Sequence, residues 1–249
     1  MKNLYFLLFL AIILVASSCK KDSPVAPKNT GPRKVTEAVN DSVSFVVDGK
    51  FYANPSDYTP FSFAFGNKGT DLKLSSTPGD WFLSGNNNMY WVGAADSVQY
   101  FSGFKTLLNN NSAGIEFSFI KNYRRANILY SGSFYVPNTY ENFYALGDNK
   151  YAVDFGREGK EQGVAISLGT GGKSLTSFSQ LWISDASTLT AESQQNSSFK
   201  ITKIEAVKGT NNIIIEATFE ANLFDKDEKP VKITNGFLRF TTLKYGNRF

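Results

Sequence analysis

The segment from residue 213 to residue 224 constrains the fold of this chain more than any other. Its side chains alternate between apolar and polar types, and a period of two places alternate residues on opposite faces of a β-strand. The apolar positions are Ile213, Ile215, Ala217, Phe219, Ala221 and Leu223, and the polar positions are Glu216, Thr218, Glu220 and Asn222. This pattern predicts an antiparallel strand with one face in the core and the other in solvent.

Shorter alternating runs cover most of the chain from Ser42 onward. They lie at residues 43–47, 61–65, 115–119, 134–136, 164–168, 181–183 and 231–242. The Asp48-Gly49 pair predicts a tight hairpin turn, the glycine-rich residues 169–174 predict another, and Asn235-Gly236 predicts a break in register. Helical signals are sparse, and the best of them is a polar cap at 138–141 for a short helix ending near Gly147.

Roughly a dozen predicted strands and almost no helix favour an all-β class. We therefore expect residues 42–249 to form a single all-β domain, an antiparallel β-sandwich. A closed β-barrel of the lipocalin type is the alternative, because Gly79-Asp80-Trp81 resembles the Gly-x-Trp motif of lipocalins.

The N-terminus has the layout of a secretory signal. Lys2 precedes an uninterrupted apolar run of twelve residues, 4–15, which is shorter than the roughly 20 residues that span a bilayer. Small residues follow, and then the only cysteine of the chain, Cys19. This arrangement resembles a bacterial lipoprotein signal, which implies removal of residues 1–18 and lipidation of Cys19. An ordinary signal peptide beside a chance cysteine is the alternative.

Residues 19–41 comprise that cysteine and a predicted flexible tether. The segment holds three of the eight prolines and five basic residues but has little apolar content, a composition typical of extended linkers. We expect it to hold the β-domain away from a lipid surface.

Four short segments carry a family resemblance: residues 44–50, 198–202, 217–221 and 231–237. Together they resemble an uncharacterised family of lipid-anchored β-proteins from the Bacteroidota cell envelope. The resemblance implies a β-domain anchored to the outer membrane through Cys19, on either its periplasmic or its surface face. It implies no activity.

Composition excludes several kinds of chemistry. The chain has no histidine and one cysteine, which excludes a Ser-His-Asp triad, a Cys-His dyad, a His-ligated zinc and an intramolecular disulfide. A net charge of +4 is too small to indicate nucleic-acid binding. We predict no metal, no cofactor and no catalytic residue.

Two carboxylate groups remain as candidate acid–base machinery. The first is Asp154, Glu158 and Glu161, and the second is Asp225, Asp227 and Glu228. A hydrolase built on the first group, testable through Asp154, is an alternative function. The second group is predicted to be a solvated hairpin tip.

Aromatic side chains that are out of phase with the core pattern are the candidate ligand contacts. They are Trp81, Tyr90, Trp91, Tyr135 and Trp182. Trp182, for example, lies between Leu181 and Ile183 and is expected to face away from the core that they enter. Exposed aromatic rings on a β-domain can stack on sugars or contact partners. We therefore predict a non-enzymatic, lipid-anchored envelope protein that binds a glycan or a protein. A structural or assembly lipoprotein without a small ligand is the alternative.

Overall fold

The computed structural model describes residues 41–54, 61–65, 97–109, 111–131, 134–137, 143–182 and 185–244. The predicted signal peptide, Cys19 and all but the last residue of the tether lie outside these ranges. Residues 39–249 form one compact unit. No helix in the described ranges is long and apolar enough to cross a membrane.

The described residues form thirteen strands and two single-turn 3₁₀ helices, Arg125–Asn127 and Ala191–Gln194. The strands are β1 (Ser42–Val47), β2 (Lys50–Ala53), β3 (Phe61–Phe65), β4 (Ser97–Leu108), β5 (Ala113–Arg124), β6 (Ile128–Ser131), β7 (Phe134–Pro137), β8 (Gly147–Asn149), β9 (Gly163–Thr170), β10 (Lys173–Thr176), β11 (Ser198–Ala206), β12 (Asn212–Phe224) and β13 (Pro230–Leu243). The all-β prediction is confirmed.

Eleven strands join into one antiparallel sheet. Its main path runs β2-β1-β13-β12-β10-β9-β5-β4-β3, while β11 pairs with both β12 and β8. Strands β6 and β7 form a separate hairpin. In the main path β10 and β12 share a single register pair, Thr176 with Phe224, so the sheet has two halves with a narrow junction.

The two halves pack against each other through aromatic rings. Phe117 of β5 makes an edge contact with Phe219 of β12 at 5.1 Å between ring centroids, and Phe119 stacks on Phe240 of β13 at 5.3 Å. These strands are not neighbours in the sheet, so the sheet curls until its halves face each other. The facing halves enclose the core that the sequence pattern predicts for a sandwich.

The apolar faces predicted from the alternation are the core. The buried residues include Val43, Phe45, Val47, Ile115, Phe117, Phe119, Val164, Ile166, Leu168 and the six apolar positions of β12, each no more than 5% exposed. Burial of one large apolar side chain contributes about 1.5–3 kcal/mol.

The predicted turns also form. Asp48 and Gly49 have φ values of 48° and 73°, and Gly171 and Gly172 have 56° and 75°. Positive φ at both central residues is the geometry of a two-residue hairpin turn whose twist matches that of its strands. The break at Asn235-Gly236 is a β-bulge, because the register of β12 with β13 shifts between Phe219 and Ala221.

Three local predictions are wrong. Leu181 belongs to a loop and not to a strand. Its backbone N–H donates to Ser179 Oγ and its carbonyl accepts from Arg157, so both groups bond to side chains instead of to a neighbouring strand. The described part of the predicted helix, residues 143–147, is not helical, and Tyr144 is buried against Phe119 instead. Glu216, expected in solvent, is buried beside Arg239.

The far edge of β2 is covered by one residue at the end of β4. The backbone N–H of Ala53 donates to Asn109 Oδ1 at 3.1 Å, and Asn109 Nδ2 donates to the carbonyl of Phe51 at 3.2 Å. The Asn109 N–H in turn donates to the Ala53 carbonyl at 2.9 Å. Asn109 therefore pairs with the edge strand β2 as a neighbouring strand would, and joins it to the end of β4.

Candidate functional site

Trp182 is the most exposed large apolar side chain among the described residues. Its exposed fraction is 79%, against 67% for Leu146 and 55% for Phe51. The three lie on different elements: the loop between β10 and β11, the segment before β8, and β2. The predicted exposure of Trp182 is thus confirmed. The reason differs from the predicted one, because Trp182 lies in a loop and not on the outer face of a strand.

The loop that carries Trp182 runs from residue 177 to residue 190, and its first residues are fixed to the core. Ser177 donates its backbone N–H to the Ile166 carbonyl, and its Oγ accepts the Ile166 N–H, both at 2.8 Å. Ser179 donates its N–H to the Val153 carbonyl at 3.2 Å. The loop therefore begins as a continuation of β10 beside β9.

Arg157 fixes the backbone of Trp182 itself. Its Nη1 donates to the carbonyls of Leu181 at 3.0 Å and of Trp182 at 2.7 Å, and its Nη2 donates to the Asp185 carbonyl at 2.8 Å. A turn bond from the Asp185 N–H to the Trp182 carbonyl, at 2.9 Å, closes the apex. Hydrogen bonds from a charged donor are the stronger kind, so the indole is exposed on a constrained backbone.

Glu228, in the turn between β12 and β13, holds both ends of the same loop. Its Oε1 accepts the hydroxyls of Ser179 and Ser187, each at 2.6 Å. Its Oε2 accepts the N–H of Thr188 at 2.7 Å and the hydroxyl of Thr188 at 2.6 Å. Partial burial opposes ionisation, but these four bonds outweigh it and lower the pKa of Glu228 to about 2.

The prediction that Asp225, Asp227 and Glu228 form a solvated hairpin tip is therefore correct for two of them only. Asp227 is exposed and pairs with Lys226, and Asp225 caps its own turn by accepting the N–H groups of Asp227 and Lys229. Glu228 instead turns back onto the loop of Trp182 with a φ of 57°.

The acids of the first carboxylate group shape the segment that presents Arg157. Asp154 accepts the backbone N–H groups of Lys160 and Glu161, and Glu161 Oε2 accepts the N–H of Val153 at 2.8 Å. Burial raises the pKa of Glu161, partly offset by the Val153 bond. Glu158 pairs with Lys160 at 2.8 Å. The contacts of all three acids are those of a folded loop.

The remaining candidate residues are four that lie outside the described ranges and Tyr135. Cys19, Trp81, Tyr90 and Trp91 lie outside the described ranges. Tyr135 lies on β7 opposite Tyr130 of β6, where the backbone alone is described. Among the described residues, no group of three or more acidic, cysteine or histidine side chains is placed to hold a metal ion.

Of the two residues that position Trp182, sequence reasoning missed Arg157 and assigned Glu228 to a solvated hairpin tip. The signal for Glu228 is the hydroxyl-rich run 187–190, since such hydroxyls bond to nearby acceptors in loops. Their acceptor, however, lies 40 or more residues away in the chain. Nothing local identifies it.

No family model, curated protein or solved structure matches this chain.

Proposed function

We propose that this chain is a non-enzymatic lipoprotein of the cell envelope whose β-domain binds a glycan or a protein partner through Trp182. The observation that carries the proposal is the combination of a 79% exposed indole with a backbone held by three hydrogen bonds from Arg157. The N-terminal sequence supports a lipid anchor at Cys19 on the outer membrane.

An indole that is 79% exposed buries little apolar surface and so contributes little to the core. Tryptophan is among the more buried side chains on average, because its large apolar surface contributes most to stability in a core. Here the fold uses Arg157 and Glu228 to hold a loop whose tryptophan remains in water. Loops fixed on a rigid scaffold commonly carry binding residues, which supports a contact surface centred on Trp182.

Photo-crosslinking in cells tests the binding role. A benzophenone amino acid replaces Trp182 in the full chain, and the matched control carries it at Leu146, which is also large, apolar and exposed. We expect ultraviolet light to give a defined adduct from position 182 and none from position 146. Equal labelling from both positions, or none from position 182, would contradict the proposal.

Metabolic labelling tests the anchor separately. We expect the full chain to incorporate labelled palmitate and to remain with the membrane fraction, whereas Cys19→Ser is unlabelled and released. Labelling that persists in Cys19→Ser would place the lipid elsewhere.

A further inference from the structure

We propose that the Trp182 site takes the face of a neutral sugar ring, and that Glu228 and Arg157 are its positioning residues. This inference deepens the proposed function and rests on it. It depends on the polarity of the loop, on the direction of the site's charges and on the points at which the loop is held.

The surroundings of Trp182 suit a ring that is apolar on its face and polar at its rim. The described residues of its loop are predominantly polar and include Asp185, Ser187 and Thr188. A sugar ring offers C–H groups to the flat indole and hydroxyls to a polar margin. A protein hot spot instead lies within a patch that excludes water. The other exposed large apolar side chains in the described ranges, Phe51 and Leu146, are on separate elements.

The charged groups of Arg157 and Glu228 are directed at the loop itself. Both terminal nitrogens of Arg157 donate to the carbonyls of the loop apex, and both oxygens of Glu228 accept from Ser179, Ser187 and Thr188. An anionic ligand requires a cation directed at it. The arrangement therefore favours an uncharged saccharide.

Glu228 fixes the loop on both sides of the indole. Ser179 precedes Trp182 by three residues, while Ser187 and Thr188 follow it by five and six. One carboxylate thus spans the loop, and Arg157 fixes the apex between the two attachment points. A loop ordered before binding loses less conformational entropy when it binds. The Glu228 carboxylate bonds to the loop and not to the ligand, so its loss should weaken binding only by loosening the loop.

The first experiment titrates the purified full chain in detergent with neutral hexasaccharides of glucose, mannose and N-acetylglucosamine, and with hexagalacturonate as the anionic comparison. Iodide quenching of tryptophan fluorescence, taken as the difference from Trp182→Phe, isolates the signal of Trp182. We expect at least one neutral hexasaccharide to protect the indole. Isothermal titration calorimetry, which does not need the indole signal, should show that Trp182→Ala binds this saccharide about tenfold or more weakly. Leu146→Ala, the control, should bind as the wild type does.

The second experiment separates positioning from stability. Glu228→Ala should weaken binding about fivefold and lower the time-resolved anisotropy of Trp182, whereas Glu228→Gln, which keeps a carbonyl acceptor, should restore part of both. Asp227→Ala, in the same turn but exposed, is the matched control and should change neither. Unchanged affinity and anisotropy in Glu228→Ala would overturn the positioning role.

The outcomes distinguish this inference from the function on which it rests. If no neutral hexasaccharide binds but photo-crosslinking from position 182 yields an envelope protein, the sugar is wrong and the binding role stands. If hexagalacturonate alone binds, the neutral ligand is wrong. If neither saccharide binding nor an adduct is found, both proposals fail.

Discussion

Glu216 of β12 and Arg239 of β13 lie directly opposite each other in the sheet and form an ion pair that water scarcely reaches. Arg239 Nη1 donates a hydrogen bond to Glu216 Oε1, and the exposed fractions of the two side chains are 11% and 7%. Their neighbours Ile215 and Phe240 point into the core, so the pair lies on the opposite face of the sheet.

Removal of one member of this pair should destabilise the protein far more than removal of both. Arg239→Met leaves a buried carboxylate without its partner and should lower the free energy of unfolding by about 3–5 kcal/mol. In the double variant with Glu216→Leu, apolar groups replace both charges, and most of that loss should be recovered. Urea denaturation of the full chain measures each value.

The exposed pair of Lys226 and Asp227 is the control for the buried one. Their side chains are 83% and 52% exposed, so Asp227→Asn should change the free energy of unfolding by less than about 1 kcal/mol. If the effects of Arg239→Met and Glu216→Leu simply add in the double variant, the two side chains are not coupled.

A glycine is required at residue 236 because atoms of Phe219 fill the space that a side chain would need. A Cβ at residue 236 would lie 2.4 Å from the Phe219 carbonyl oxygen and 2.6 Å from two carbons of its ring. Gly236→Ala should therefore destabilise by about 1–3 kcal/mol, as overpacked cores do. Gly169→Ala, where the nearest atom is 4.0 Å away, is the matched strand control. Equal melting temperatures for the two variants would show that both the Phe219 carbonyl and its ring move aside freely.

The alternation in the sequence predicted the core faces and the turns because both depend on local geometry. It was wrong at Glu216, because a period of two separates the two faces of a strand without showing what covers the outer one. It was wrong at Leu181 because a three-residue run is too short to distinguish a strand from a loop. The role of Glu228 depends on hydroxyls distant in the chain, a relationship that no local pattern encodes.

Asn109 should stabilise the edge strand β2 through its hydrogen bonds to the backbone of Phe51 and Ala53. Asn109→Gly accommodates the φ of 45° but removes the side-chain bonds to Ala53 and Phe51, so it should cost about 1–2 kcal/mol at roughly 1 kcal/mol for each bond. Hydrogen exchange should show faster exchange at the Ala53 amide, while the amide of Ile166, in the core, stays protected. Asn109→Asp, which keeps the acceptor for Ala53, should preserve much of the protection. Unchanged exchange at Ala53 in the glycine variant would contradict a capping role.

Acid should release the Trp182 loop through Glu228. The pKa of this carboxyl is about 2 in the folded protein, because hydrogen bonds outweigh partial burial, against an ordinary value of 4.5. A lowered pKa means that the ionised form stabilises the fold. That contribution is fully present above about pH 4.5 and is lost as the pH falls towards 2.

The anisotropy of Trp182 should therefore fall as the pH is lowered from 4.5 to 2, with most of the fall near the lower end. Asp225 of the same turn also has a lowered pKa, chiefly through the Lys229 N–H, so the wild-type profile alone mixes the two groups. Glu228→Gln cannot ionise at this position and retains Asp225, and the difference between the two profiles isolates Glu228. Identical profiles would mean that the loop is held by Arg157 without help from the carboxylate, because a carboxylate that holds the loop must release it when protonated.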